Sequence, residues 1–226
     1  MTRKGRLYGV GVGPGDPELM TLKAVRLIAA SDIIAIPQRD RARCVALRIA
    51  AEAVPEALTK PTLALDMPMT RDKNVREQAY AAAAEQLTSV LEAGKTVVFL
   101  TLGDPTIYST YGYLHGRMVR AGYEAEYVPG VPSFCAAAAA LGEPLCEEGE
   151  GLHVLPGNGA EDGCSGTRVF MKGGVRERKQ ALRDHDGPIL GAENVGMDGQ
   201  RLYRSLEDIP EDTGYFTLII AKERQP

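Results

Sequence analysis

No run of apolar residues approaches the roughly 18 that a membrane-spanning helix needs, so the chain reads as one that does not enter a bilayer. There is no C-x-x-C pair. Cys44, Cys135, Cys146 and Cys164 are irregularly spaced, which argues against a zinc site or disulfide scaffold and leaves small incidental thiols. Positive charge is not in excess: 26 Lys and Arg stand against 30 Asp and Glu, a net charge of -4. That argues against a protein coated in positive charge for duplex nucleic acid, though not against a local basic pocket. Internal repeats and low-complexity tails are missing. Basic Arg3, Lys4 and Arg6 precede only the short apolar run Leu7–Val12, too brief for a signal-peptide core, so a cytoplasmic protein is expected. What remains is an ordinary globular balance, 44% hydrophobic and 25% charged over 226 residues. That length suits one large domain or two small ones.

Leu7–Val12 reads as a strand, Glu18–Ala30 as a helix and Asp32–Ile36 as a second strand. This βαβ opening predicts a mainly parallel sheet. Helices are expected at Arg43–Ala53, at alanine-rich Asp72–Ala93, and from Pro105 to Arg120, with strands at Thr96–Leu102 and Tyr123–Val128. Pro129-Gly130-Val131-Pro132-Ser133 is the natural boundary. Beyond it the pattern is strand-rich and mixed: a helix at Phe134–Leu141, strands at Leu152–Leu155 and Thr167–Met171 around a loop at Gly157–Gly166, a helix at Val175–Arg183, then strands at Ile189–Ala192, Arg201–Leu206 and Tyr215–Ala221.

Alternating Gly9, Gly11, Gly13 and Gly15 invite a dinucleotide-binding assignment, but G-x-G-x-x-G fails at Asp16 in one register and at Pro14 in the other. A turn that lines a ligand cleft at the carboxyl end of the first strand is the better reading. At Gly103-Asp104-Pro105, Asp104 suits a helix N-cap and Pro105 the first helical position, which would aim unpaired N–H groups at the strand ends. Hydroxyl-bearing Thr106, Tyr108, Ser109, Thr110, Tyr111 and Tyr113 crowd the next two turns.

Five segments, in order, resemble the tetrapyrrole (corrin/porphyrin) methylase family: Val10–Lys23, Gly103–Ser109, Val128–Ser133, Val169–Lys172 and Tyr215–Ile220. The runs Tyr108–Leu114 and Pro132–Ala137 are similar to the branch that methylates C20 of precorrin-2 or cobalt-factor II in cobalamin synthesis. The resemblance implies a two-domain α/β fold, with residues 1–130 forming the tetrapyrrole side of a cleft and 131–226 much of the site for S-adenosylmethionine (SAM). The N-terminal sheet would be mainly parallel and the C-terminal sheet mixed. It implies a homodimer with an anionic tetrapyrrole as partner, and neither nucleic acid, membrane nor protein-bound metal. Carried across residue by residue, it places Pro14, Gly103, Asp104, Ile107, Pro132, Ser133, Met171 and Phe216 around SAM, with Glu193–Gly196 near another contact.

Two departures stand out. Pro37 occupies the position where relatives acting on uroporphyrinogen III carry an aspartate, which disfavours that reaction and leaves the base unassigned. Pro132 replaces a threonine common before Ser133, removing a hydroxyl and a backbone donor. Asp104, Tyr108 and Tyr111 are candidates by location to accept the C20 proton, and capping or packing is the competing role of each. Arg39 and Arg43, after the second strand, are candidates to hold substrate carboxylates bidentately. Two alternatives remain open at this point: another tetrapyrrole C-methyltransferase such as a uroporphyrinogen-III methylase, or a non-catalytic protein binding SAM or tetrapyrrole.

Overall fold

Alternation with period two sorts the first sheet into two faces. In β1 (Arg6–Gly11) and just beyond, Tyr8, Val10 and Val12 pack with one core cluster and Leu7 with another. In β4 (Val97–Thr101), Val98 and Leu100 join the first cluster, while Val97 and Phe99 join the second. The first cluster is closed by α1 (Leu22–Ala30) and α2 (Val45–Ala53), the second by α3 (Lys73–Glu92) and α4 (Tyr111–Arg120). Helices thus cover both faces, which is why β1 and β4 are apolar almost throughout.

The computed structural model describes residues 4–156, 165–172 and 174–223. The chain divides into two compact units, Met1–Pro132 and Ser133–Pro226. In the first, β2 (Ile33–Ile36), β3 (Thr62–Ala64) and β5 (Glu124–Val128) complete a five-stranded sheet of order β3-β2-β4-β1-β5, every pair parallel. β1 leads toward β2 on one side, and β4 leads to β5 on the other. Each connection passes the other strand, and the loops leaving the adjacent carboxyl ends of β1 and β4 go to opposite faces of the sheet, to α1 and α4, which is where open α/β sheets bind ligands.

The second unit carries α5 (Ser133–Leu141), α6 (Val175–Ala181) and a mixed sheet of order β6-β7-β10-β8-β9. Its strands are β6 (Leu152–Pro156), β7 (Thr167–Met171), β8 (Ile189–Glu193), β9 (Arg201–Tyr203) and β10 (Thr217–Ala221). Only β6 and β7 are parallel. The α/β class, the parallel first sheet and the mixed second sheet agree with the sequence. Much of the Gly157–Gly166 loop, and Cys164, lie outside the described residues.

Three local expectations need correction. The helix expected at Glu18–Ala30 is interrupted: Asp16 caps a 3-10 turn at Pro17–Leu19, Met20 is extended, and the Thr21 hydroxyl accepts the Ala24 N–H (3.1 Å) to start α1 afresh. β3 was not foreseen, because a three-residue edge strand offers no alternation to read. The helix expected from Pro105 begins only at Tyr111, with Thr110 at its N-cap. Asp104 is therefore not a helix cap, and no helix N-terminus lies at Pro105.

Candidate active site

Three glycines meet at the carboxyl ends of β1, β4 and β5. A Cβ on Gly11 would stand 2.5 Å from the Gly103 carbonyl oxygen and 2.7 Å from the Gly130 nitrogen. A Cβ on Gly130 would stand 2.3 Å from the same Gly103 oxygen. Backbones approach this closely only where side chains are absent. The Gly103 N–H donates to the Gly13 carbonyl at 2.8 Å, forming an isolated bridge between the two loops. Both residues are left-handed, Gly13 at φ 75° and Gly103 at φ 72°.

Asp104 ties this knot. Its Oδ2 accepts the Gly130 N–H at 2.9 Å, and Oδ1 accepts the Thr106 N–H at 2.7 Å as well as the Thr106 hydroxyl. The carboxylate is 8% exposed, with both oxygens occupied. Instead of capping a helix, it closes a tight turn on itself and fastens that turn to the β5 loop. Gly103 differs from its neighbours, because a Cβ there would meet nothing nearer than the Val131 oxygen at 4.0 Å. The knot thus keeps one backbone face open, beside buried Pro14 and half-buried Ile107.

The tyrosines that follow part company. Tyr111 is fully buried; its ring lies over β1, where a Cβ on Gly9 would fall 2.2 Å from ring carbons. Its hydroxyl donates to the Glu126 carbonyl at 2.8 Å, and burial pushes its ionisation well above a phenol's ordinary value. Tyr108 is 44% exposed and left-handed at φ 46°, a rare conformation for a bulky residue and one that clusters at functional sites. Arg39 and Arg43 lie beyond the carboxyl end of β2. Arg39 is paired with Asp66 at 2.5 Å, and Arg43 is exposed.

In the second unit, β10 runs antiparallel to both β7 and β8, so its start lies beside their ends: Leu218 pairs with Met171 and Thr217 with Glu193. Met171 and Phe216, picked from separate segments, therefore share one sheet edge. The Asn194 N–H donates to the Phe216 carbonyl at 3.1 Å. Two further residues here are left-handed, Lys172 at φ 55° and Asn194 at φ 51°. Lys172 follows Met171 directly, and burial lowers its ammonium pKa. Ser133 opens α5 and is half-buried, as is Pro132 before it.

Sequence reasoning placed Glu193 only in a loop of uncertain register. It is in fact a second buried carboxylate, 8% exposed. Oε1 accepts the Gly214 N–H at 2.8 Å and Oε2 the Tyr203 hydroxyl at 3.1 Å, which fastens the segment leading to Phe216. An acid closing the apolar run Ile189–Ala192 was the available signal. Among the described residues, no group of three or more His, Cys, Asp and Glu side chains could hold a metal ion.

The family model for Tetrapyrrole (Corrin/Porphyrin) Methylases matches residues 6–210. The chain belongs to this family. The match spans the glycine knot of the first unit and the Met171 and Glu193 edge of the second. The chain is 38% identical over 165 residues to the cobalamin biosynthesis protein CobIJ of Mycobacterium tuberculosis, which covers 70% of this chain and 32% of CobIJ. It therefore spans about a third of that relative's length. It is 34% identical over 191 residues to a probable cobalt-precorrin-2 C(20)-methyltransferase of Methanocaldococcus jannaschii, covering 82% of this chain and 80% of that one. Among solved structures, the uroporphyrin-III C-methyl transferase of Thermus thermophilus complexed with S-adenyl homocysteine matches with a TM-score of 0.68 at 27% identity, over 96% of each chain.

Proposed function

We propose that this methylase transfers a methyl group from SAM to C20 of precorrin-2 or cobalt-factor II in cobalamin biosynthesis. The observation that carries the reading is the turn at Gly103-Asp104: a rigid backbone cradle, open at Gly103, whose one carboxylate is fully engaged in holding it together. Such a site suits a reaction between two bound molecules and needs no protein nucleophile. Similarity to a probable cobalt-precorrin-2 C(20)-methyltransferase supports the position, and the S-adenyl homocysteine complex of the Thermus relative supports the donor.

The residues present fit SAM. Gly103 leaves the space of a Cβ open beside buried Pro14, and Ile107, Pro132, Ser133, Met171 and Phe216 complete the set proposed to hold it. SAM, when bound, supplies an electrophilic sulfonium methyl group. The task of the chain is to align the substrate's own electron-rich meso carbon in line with that group. Positioning of this kind can contribute roughly 7–11 kcal/mol to lowering a barrier.

Of the three residues considered for accepting the C20 proton, Asp104 has both oxygens occupied by donors, and Tyr111 has a buried hydroxyl already donating to a carbonyl. We assign positioning to Asp104 and packing to Tyr111, and propose Tyr108 as the acceptor from its 44% exposure and its left-handed backbone in the same turn. Arg43 is proposed to meet a carboxylate of the anionic substrate, and Arg39 to do so by exchanging its ion pair with Asp66. Replacing both by Ala should raise the substrate KM far more than the SAM Kd. A homodimer in the cytoplasm belongs to the same reading. No helix among the described residues is long and apolar enough to cross a membrane.

The test is incubation with methyl-labelled SAM and either metal-free precorrin-2 or cobalt-factor II, followed by mass and NMR analysis. One labelled methyl at C20 is expected, and the ring that reacts faster identifies the route. Methylation of uroporphyrinogen III in place of either ring would assign the sister reaction. SAM binding with no turnover on any of them would make the protein a binder, not an enzyme.

A further inference from the structure

Between the loop after β3 and the first turn of α4 lies an open pocket of about 270 Å³, lined among others by Thr70, Arg71, Arg76, Thr110 and Tyr113. It contains two guanidinium groups and no acidic side chain. The ion pairs around it explain why the charge of Arg76 persists. Glu77, the acid next to Arg76 in sequence, is paired with Arg117 across α3 and α4. Arg39, by contrast, has its charge met by Asp66. Arg76 is half-buried and forms no ion pair among the described residues. One wall is the stacked pair of buried Tyr80 and exposed Tyr113, with ring centroids 5.0 Å apart. The pocket lies at the same sheet edge as the glycine knot: Pro68–Arg71 follow the carboxyl end of β3, and Thr110 closes the turn that begins at Gly103.

We propose that this pocket is a carboxylate subsite, in which Arg76, with Arg71 beside it, binds an acidic side arm of the tetrapyrrole. The inference rests on the functional reading above and adds to it the group that grips the ring's periphery. An arginine fork matches a carboxylate bidentately, and the hydroxyls of Thr110 and Tyr113 are suited to donate to the same oxygens.

The probe is uroporphyrin III, a stable octacarboxylate, titrated against the full chain by fluorescence. S-adenosylhomocysteine affinity is measured in parallel by calorimetry. Arg76→Ala should weaken porphyrin binding about tenfold or more, the size of one charged hydrogen-bonded contact, and flatten its salt dependence. Arg76→Lys should fall between, and S-adenosylhomocysteine affinity should not move. Alanine is a good helix former at this position of α3, and the lysine variant covers the case in which the alanine variant fails to fold. Unchanged porphyrin affinity in both variants would overturn the subsite even if the wild type methylates precorrin-2. Weakened porphyrin binding in Arg76→Ala, alongside a wild type that methylates nothing, would uphold the subsite while removing the reaction. A wild type that binds no porphyrin overturns the subsite and leaves the reaction to be decided by the labelled-methyl product.

Discussion

Asp104 in the first unit and Glu193 in the second are equally buried, and each spends both oxygens on fastening a loop to a strand end. Their partners differ. Each Asp104 oxygen faces a fixed donor, the N–H of Thr106 on one side and of Gly130 on the other, with the Thr106 hydroxyl beside the first. Glu193 faces one fixed N–H and the Tyr203 hydroxyl, which can turn and accept instead. The first arrangement tolerates nothing but a carboxylate; the second tolerates an amide. The same contrast runs through the two edges. The first is built from backbones in contact with no slack, the second from side chains that tie loops to a mixed sheet.

The strongest way to break the comparison is at the knot itself. Gly130→Ala would drive a methyl group into the Gly103 oxygen and the Gly11 backbone, neither of which can retreat. We expect a loss at or above the upper end of overpacking penalties, about 3 kcal/mol, read as a large fall in the melting temperature. A near-native melting curve would show that the three loops are looser than described. Next comes the carboxylate pair. In Asp104→Asn, either orientation of the amide points its NH2 at an N–H donor, leaving a buried donor unmatched at a cost of about 2–3 kcal/mol. In Glu193→Gln, the carbonyl can keep the Gly214 N–H while the NH2 donates to Tyr203, so the cost should stay below about 1 kcal/mol. Chemical denaturation of the two variants checks the ranking, and equal losses would dissolve the contrast.

The smallest effect is expected at Tyr111. Tyr111→Phe removes one hydrogen bond to Glu126, about 1 kcal/mol at neutral pH. The sign with pH follows from burial. A folded-state pKa raised above the unfolded value of about 10 stabilises fully below that pH, and the benefit is lost as pH rises toward the folded value. The wild type should therefore lose stability above about pH 10 more steeply than the phenylalanine variant. Parallel curves would place the Tyr111 ring in water.

Local signals in the chain were enough for the central strands, since alternation across β1 and β4 shows directly in Leu7–Val12 and Val97–Leu102, but not for the short edge strand β3. They were enough for the knot's location too, because glycines at a strand end announce close approach. The partner of Asp104 was not legible. Gly130 is 26 residues away, and the contact exists only because β1 sits between β4 and β5. The same residue misled about α4. Asp-Pro is a helix-cap pattern, but here Asp104 closes a turn on Thr106 and the chain passes through a left-handed Tyr108 before helix begins. The basic groups were read as runs along the sequence. Which of them retain free charge depends on ion pairs such as Arg39 with Asp66, set by the adjacency of β2 and β3.

On the function proposed, the Gly103-Asp104 turn positions the reactants and does not itself take the proton. The most direct test is Asp104→Asn, measured for S-adenosylhomocysteine affinity and for the pH profile of single-turnover methyl transfer. Positioning predicts a weakened affinity and a lowered rate whose pH dependence keeps the wild-type shape. Unchanged affinity, with a small residual rate from whose profile the acidic limb has gone, would make Asp104 the base and contradict this.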